Sequence, residues 1–152
     1  MVKRFIFVLV IIFTSTYFLQ AYEYHWSEVL EFPWGCSVEN FLREEGDRVI
    51  HESRYLDKGA DTYIREHNSG YIQFNFNRNN QLYQIFYHFE GTPDQLTYMY
   101  VTGSYRMLFG DPSVINAAGA QMVLYNTEEY LIHITATATG WSIRIVNKKY
   151  RG

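Results

Sequence analysis

Cysteine is almost missing from this chain: Cys36 is its single thiol. One thiol closes no internal disulfide, so the fold has to stand on its core without covalent staples. Motifs that carry chemistry are equally scarce. There is no G-x-G-x-x-G run to cradle a phosphate, no G-x-S-x-G elbow, and no H-E-x-x-H or paired-cysteine spacing for a metal. Charge is thin as well, at 19% of residues with a formal net of −3. Nothing concentrates positive charge on one surface, which argues against nucleic acid or anionic lipid as a partner. The one locally basic stretch, Asn147 to Gly152, reads as a solvated end.

What is abundant is aromatic. Tyrosine occurs 14 times and phenylalanine 11 times, and 47% of the 152 residues are apolar. That composition belongs to a folded domain rather than a disordered tail. Flat amphipathic rings also suit a pleated, half-buried surface, so strands are favoured.

The N-terminus reads as a targeting segment. Lys3 and Arg4 precede the unbroken apolar run Phe5 to Phe13, small hydroxyl residues follow at Thr14 to Thr16, and Ala21 suits a cleavage site. The apolar character straggles only to Leu19, short of the ~20 residues a comfortable membrane span needs. The expectation is a signal peptide over 1–21 and one exported domain over 22–152, periplasmic or secreted, with membrane contact only if the segment stays uncleaved. Two of the 13 basic residues leave with that segment, so 11 then face 16 acidic ones, a net of −5.

Local signals place two helices. Ser37 is a good N-cap, Val38, Phe41 and Leu42 recur at helical spacing, Glu39 suits the positive end of the dipole, and Gly46 supplies a left-handed stop. Cys36 falls just before that cap. A helix N-terminus lowers a thiol pKa, but nothing in the sequence places a base beside it, so Cys36 reads as incidental to the helix entrance. The second helix is marked by Thr92 and Gln95 as a capping box with Pro93 at its first position, and by the stop Gly110-Asp111-Pro112. Leu96, Met99, Tyr100, Gly103 and Met107 share one face of it.

Between and after the helices the pattern is that of strands: Arg48–Leu56, Asp61–His67, Tyr71–Asn77, Gln81–Phe89, then Gln121–Asn126, Tyr130–Ala138 and Trp141–Lys148. "INAAGA" (115–120) reads as a loop. The fold expected is α+β, two helices packed on an antiparallel sheet in the order α-β-β-β-β-α-β-β-β, hinting at two α-then-sheet halves.

Three segments carry a resemblance: "PWGCSVENFLREEG" from Pro33, "YIQFNFNRNNQLYQIFYHF" from Tyr71 and "YRMLFGDP" from Tyr105. Over roughly Phe32 to Asn147 the chain resembles a family of small, exported, largely uncharacterised bacterial α+β proteins. In architecture it is similar to β-lactamase-inhibitor-protein-like domains and to small barrel-assembly lipoprotein domains, although it has no lipobox cysteine. Those similar domains bind other proteins and catalyse nothing, but what the resemblance carries over to this chain is architecture only.

No constellation of residues reads as catalytic, cofactor-binding or metal-binding. His25, His51, His67, His88 and His133 are dispersed, and Glu44-Glu45 and Glu128-Glu129 read as solvated charge. "TGSYR" (102–106) lies inside the second helix rather than on an elbow. "TATATG" (135–140) would set Thr135, Thr137 and Thr139 as a hydroxyl ladder on one strand face.

The aromatic strand pair is more telling. With Ile72, Phe74 and Phe76 turned inward, Tyr71 and Gln73 turn out. With Tyr83, Ile85, Tyr87 and Phe89 packed, Leu82, Phe86 and His88 take the other face. Outward aromatics among amides suit a protein- or sugar-binding surface, unless a segment such as Tyr22–Trp26 covers them. Tyr71, Gln73, Phe86 and His88 are therefore the candidate partner-binding residues of a non-catalytic protein-binding or assembly module of the cell envelope. The alternatives are a hydrolase of envelope glycan or peptide, or an inhibitor of a secreted hydrolase. A cleft holding His88 or His133 within hydrogen-bond reach of a carboxylate would favour the hydrolase, and a convex aromatic face the binding module.

Overall fold

A computed structural model describes residues 31–52, 61–67, 69–92 and 94–152. The expected signal peptide, the segment Tyr22–Trp26, the end of the strand expected over Arg48–Leu56, and Pro93 lie outside the described residues. Pro33–Gly152 forms one compact unit.

Helix α1 (Val38–Glu45) leads into β1 (Ile50–His51), β2 (Thr62–His67), β3 (Gly70–Phe76) and β4 (Leu82–Glu90). Helix α2 (Gln95–Phe109) leads into β5 (Ser113–Ala117), β6 (Ala120–Asn126), β7 (Tyr130–Ala136) and β8 (Gly140–Asn147). The strands form one antiparallel 8-stranded sheet in the order β1-β2-β3-β4-β8-β7-β6-β5. Each helix thus opens a four-strand meander, and the last strands of the two meanders pair in the middle of the sheet. The second half therefore holds four strands, one more than expected: "INAAGA" is no loop but most of a hairpin closed by Ala118 and Gly119, both at positive φ.

The core lies on one face of this sheet. Period-2 alternation aligns Ile85 with Ile145, Tyr87 with Ile143 and Phe89 with Trp141 across the central β4/β8 pair. Phe89 and Trp141 stack with ring centroids 4.2 Å apart. Both helices supply rings to this same face. Phe41 of α1 meets Phe74 at 4.8 Å and Phe76 at 5.2 Å, and Arg65 of β2 reaches back to Glu45 at the end of α1, at 3.0 Å. Tyr105 of α2 is fully buried, and Tyr125 of β6 donates its hydroxyl hydrogen to the Thr102 carbonyl.

Helix α1 starts as expected: the Ser37 hydroxyl accepts from Asn40 N–H, and Gly46 ends the helix at φ 55°. Helix α2 does not. Its cap is Asp94, which accepts from the N–H of Thr97, because an ionised carboxylate satisfies the free amides of the first turn better than a hydroxyl two residues earlier. The Asp94 carboxyl is held below its ordinary range, chiefly by the Thr97 hydroxyl and amide. Thr92 instead donates its hydroxyl hydrogen to the Ala138 carbonyl. The apolar stripe read on α2 is also not its packed face: Leu96, Met99, Tyr100 and Met107 are exposed, while Val101, Ser104 and Tyr105 are buried.

Two further differences come from local breaks in alternation. Between Asn75 and Phe76 the β3/β4 register shifts, so Phe76 pairs with Leu82 and Tyr83 is the extra residue. A bulge moves the residues beyond it to the opposite face, and Leu82 is buried in the core instead of sharing a face with Phe86 and His88. The threonine ladder does not form either. Strand β7 ends at Ala136, and Thr137 folds into the turn to donate its hydroxyl hydrogen to the Gly140 carbonyl.

Candidate functional site

The face opposite the helices gathers the four candidate residues. Register pairs Tyr71 with His88 and Gln73 with Phe86 across β3 and β4, so all four project to the same side. The Tyr71 and His88 rings sit 4.9 Å apart, Tyr71 and Phe86 6.2 Å, and Phe86 and His88 6.4 Å with planes 17° from parallel. All four side chains are partly exposed. Offset rings at these separations hold one another in place, giving a rigid aromatic patch that loses little conformational entropy on contact.

Polar groups frame the patch, and most come from parts of the chain that sequence reading left out of the site. Gln73 Nε2 donates to Asn75 Oδ1 at 2.8 Å, and the Thr62 hydroxyl donates to the same oxygen at 2.9 Å. Asn75 is only 6% exposed, and its Nδ2 has no hydrogen-bond partner among the described residues. On the other side Arg144 of β8 stands opposite Phe86 and donates from Nε to Gln84 Oε1 at 2.8 Å. Arg144 forms no ion pair among the described residues, which leaves an unneutralised cation near the centre of the face. His133 of β7 pairs with Arg144 in register. Burial and, second, the Arg144 charge push its imidazole below the ordinary histidine value, so the ring is neutral near pH 7. Partly exposed Ile64, Met122, Leu124 and Leu131 carry the apolar character out along the same face.

The arrangement offers aromatic and amide contact surface. Neither His88 nor His133 reaches a carboxylate among the described residues. The described histidine within reach of a carboxylate is His51, its Nε2 3.3 Å from Asp61 Oδ1, on the short strand β1. Among the described residues no three of His, Cys, Asp and Glu converge to hold a metal ion.

Cys36 occupies the helix side. Its carbonyl accepts from Leu82 N–H at 3.0 Å and its own N–H donates to the Pro33 carbonyl at 2.9 Å, so its backbone straps the α1 entrance to the start of β4. It lines a hollow of about 300 Å³ with Pro33, Asn40, Phe41, Arg43 and Glu44. Burial first, and the Glu44 carboxylate second, push the thiol up to about 11. That is the reverse of the thiolate a nucleophile needs. Alkylation by iodoacetamide at about pH 8 should run at least about tenfold slower than for an unstructured thiol, since the thiolate is the reacting form. The rate should still be climbing beyond about pH 9. A rate equal to a free thiol, or one already level at neutral pH, would contradict this environment.

No protein family, curated protein or solved structure matches this chain.

Proposed function

We propose that this protein is a non-catalytic binding or assembly module of the cell envelope, holding a protein partner on its helix-free sheet face. The observation that carries the reading is the ring cluster of Tyr71, Phe86 and His88, in mutual contact yet partly exposed, where a folded monomer would otherwise bury such area. Rigid aromatics beside a single arginine are the residue types that dominate the energetics of protein contacts. Phe86 is the central anchor, with Gln73 opposite it on β3 and Arg144 opposite it on β8.

Export belongs to the same proposal. It rests on the charged and apolar run before Ala21. So does kinship with the β-lactamase-inhibitor-protein-like and barrel-assembly α+β domains, which is supported by the two helix-plus-meander halves and by nothing finer.

Affinity capture from envelope extract tests the reading. The wild-type protein should retain a partner, and Phe86→Ala should lose it while melting at an unchanged temperature. Capture that survives the substitution, or no partner at all, would overturn it.

A further inference from the structure

The two edges of the sheet differ. Strand β1 is two residues long, and short edges are one of the ways native sheets avoid pairing with other chains. Strand β5 has five residues, Ser-Val-Ile-Asn-Ala, exposed along their whole length. It carries no charge, no proline and no irregularity in its pairing with β6. Within Ser113–Ala117 itself the usual guards against edge-to-edge association are missing; Asp111 and Pro112 stand just before it.

The hairpin geometry says which groups are unspent. A two-residue turn closes on a hydrogen-bonded pair, here Ala117 and Ala120, and pair types alternate from there. Ile115 and Ser113 therefore spend their backbone groups on β6, while Val114 and Asn116 aim theirs away from the sheet. That edge is symmetric about Ile115. In an antiparallel pair of two β5 strands centred on Ile115, each Val114 exchanges backbone hydrogen bonds with the second copy's Asn116. The two Ile115 side chains then face each other on the open face, and this register keeps all five residues paired.

Helix α2 extends the same edge. Tyr98 donates its hydroxyl hydrogen to Gln121, and Thr102 accepts from Tyr125, so α2 lies along β6, next to the edge strand. One flank of α2, with Val101, Ser104 and Tyr105, is buried toward Tyr87 of β4. Helical spacing puts Met99 on the flank away from Val101 and Ser104, with Leu96 next to it on the outer side of the helix. Leu96 and Met99 are 69% and 59% exposed, and Val114 and Ile115 are 53% and 50% exposed. The nearby charges, Arg106 and Asp111, neutralise each other at 2.6 Å. Strand pairing alone falls short of the ~1,200 Å² that a specific interface buries, and this helix flank is apolar surface placed to supply the rest.

The geometry points to a second copy of this chain as the occupant: a two-fold dimer formed by β5 against β5, with the Leu96–Met99 flanks packing beside the joint. A self-complementary, uncharged edge favours its own copy, because an isologous contact is satisfied by the same patch on both sides. The dimer would continue the sheet through both molecules and set the two Phe86 faces on the same side of it. The inference does not depend on the partner-binding reading.

Sedimentation equilibrium should show a reversible monomer–dimer equilibrium across the micromolar range. Ile115→Lys and Met99→Lys should each shift it to monomer, at unchanged melting temperature. Cysteine scanning in a Cys36→Ser background fixes the register. Ile115→Cys should form a disulfide-linked dimer under mild oxidation, because its Cα atoms would lie about 4.5 Å apart in a non-hydrogen-bonded pair. Ser113→Cys should not, since its own copies would be about 13 Å apart. A wild type that stays monomeric throughout, or cross-linking that is equal at the two positions, overturns the proposal.

Discussion

Alanine at Gly70 should cost about 3 kcal/mol of stability, read as a lower urea midpoint with an unchanged slope. Gly70 opens β3 at φ 154°, and a Cβ built there would lie 1.9 Å from the His88 carbonyl oxygen and 3.1 Å from Phe89 Cα. Those atoms are backbone of β4, held in the ladder on both sides, so no side-chain rotation relieves the clash. The β3/β4 pair has to part where Gly70 meets Phe89 and Tyr71 meets His88. The substitution should therefore weaken partner capture along with stability, because the aromatic patch is built on that register. A loss below about 0.5 kcal/mol, the range of ordinary surface changes, would mean that the strands approach less closely than described here.

Phe74→Ala should cost about 3 to 5 kcal/mol, a large share of the 5–15 kcal/mol typical of a whole domain. Phe74 is fully buried, its ring packs against Phe41 of α1, and the Arg65 guanidinium lies over it at 5.7 Å. Removing it leaves a cavity that close-packed neighbours fill only in part, and it loosens the seat of α1. The instructive comparison is Phe86→Ala. Phe74 and Phe86 lie on adjacent strands, yet one ring is locked under a helix and the other is partly open. The first change should unfold the protein at a much lower urea concentration, and the second should leave the midpoint nearly in place. Equal losses would mean that both faces of the sheet are covered alike.

Both helices, six of the eight strands and the four residues of the patch could be read from sequence because their signals are local. A cap and a stop bracket Val38–Glu45, and Ile72, Phe74 and Phe76 alternate against Gln73 and Asn75. The phase of that alternation is enough to place Tyr71, Gln73, Phe86 and His88 together. Strand β1 was legible only as part of a longer run. Strand β5 was not legible, because an edge strand exposed on both faces needs no apolar alternation, and its alanines and turn glycine look like a loop. The bulge at Tyr83 was equally silent, since alternation cannot announce its own interruption. Arg144 and His133 join the patch through the pairing of β4 with β8 and of β8 with β7, a consequence of topology rather than spacing. The exposed stripe of α2 shows the limit of helical periodicity: Leu96, Met99 and Met107 share a face, but the sheet took the side bearing Tyr98, Thr102 and Tyr105.

The most direct test of the central claim compares the two sides of the molecule against one captured partner. Dissociation constants are measured for the wild type, for Phe86→Ala on the helix-free face, and for Glu44→Gln in the hollow beside Cys36. The expected result is a loss of about tenfold or more, about 1.4 kcal/mol, for Phe86→Ala and no change for Glu44→Gln. A partner that leaves with Glu44→Gln and stays with Phe86→Ala would place recognition on the helix side and contradict the account.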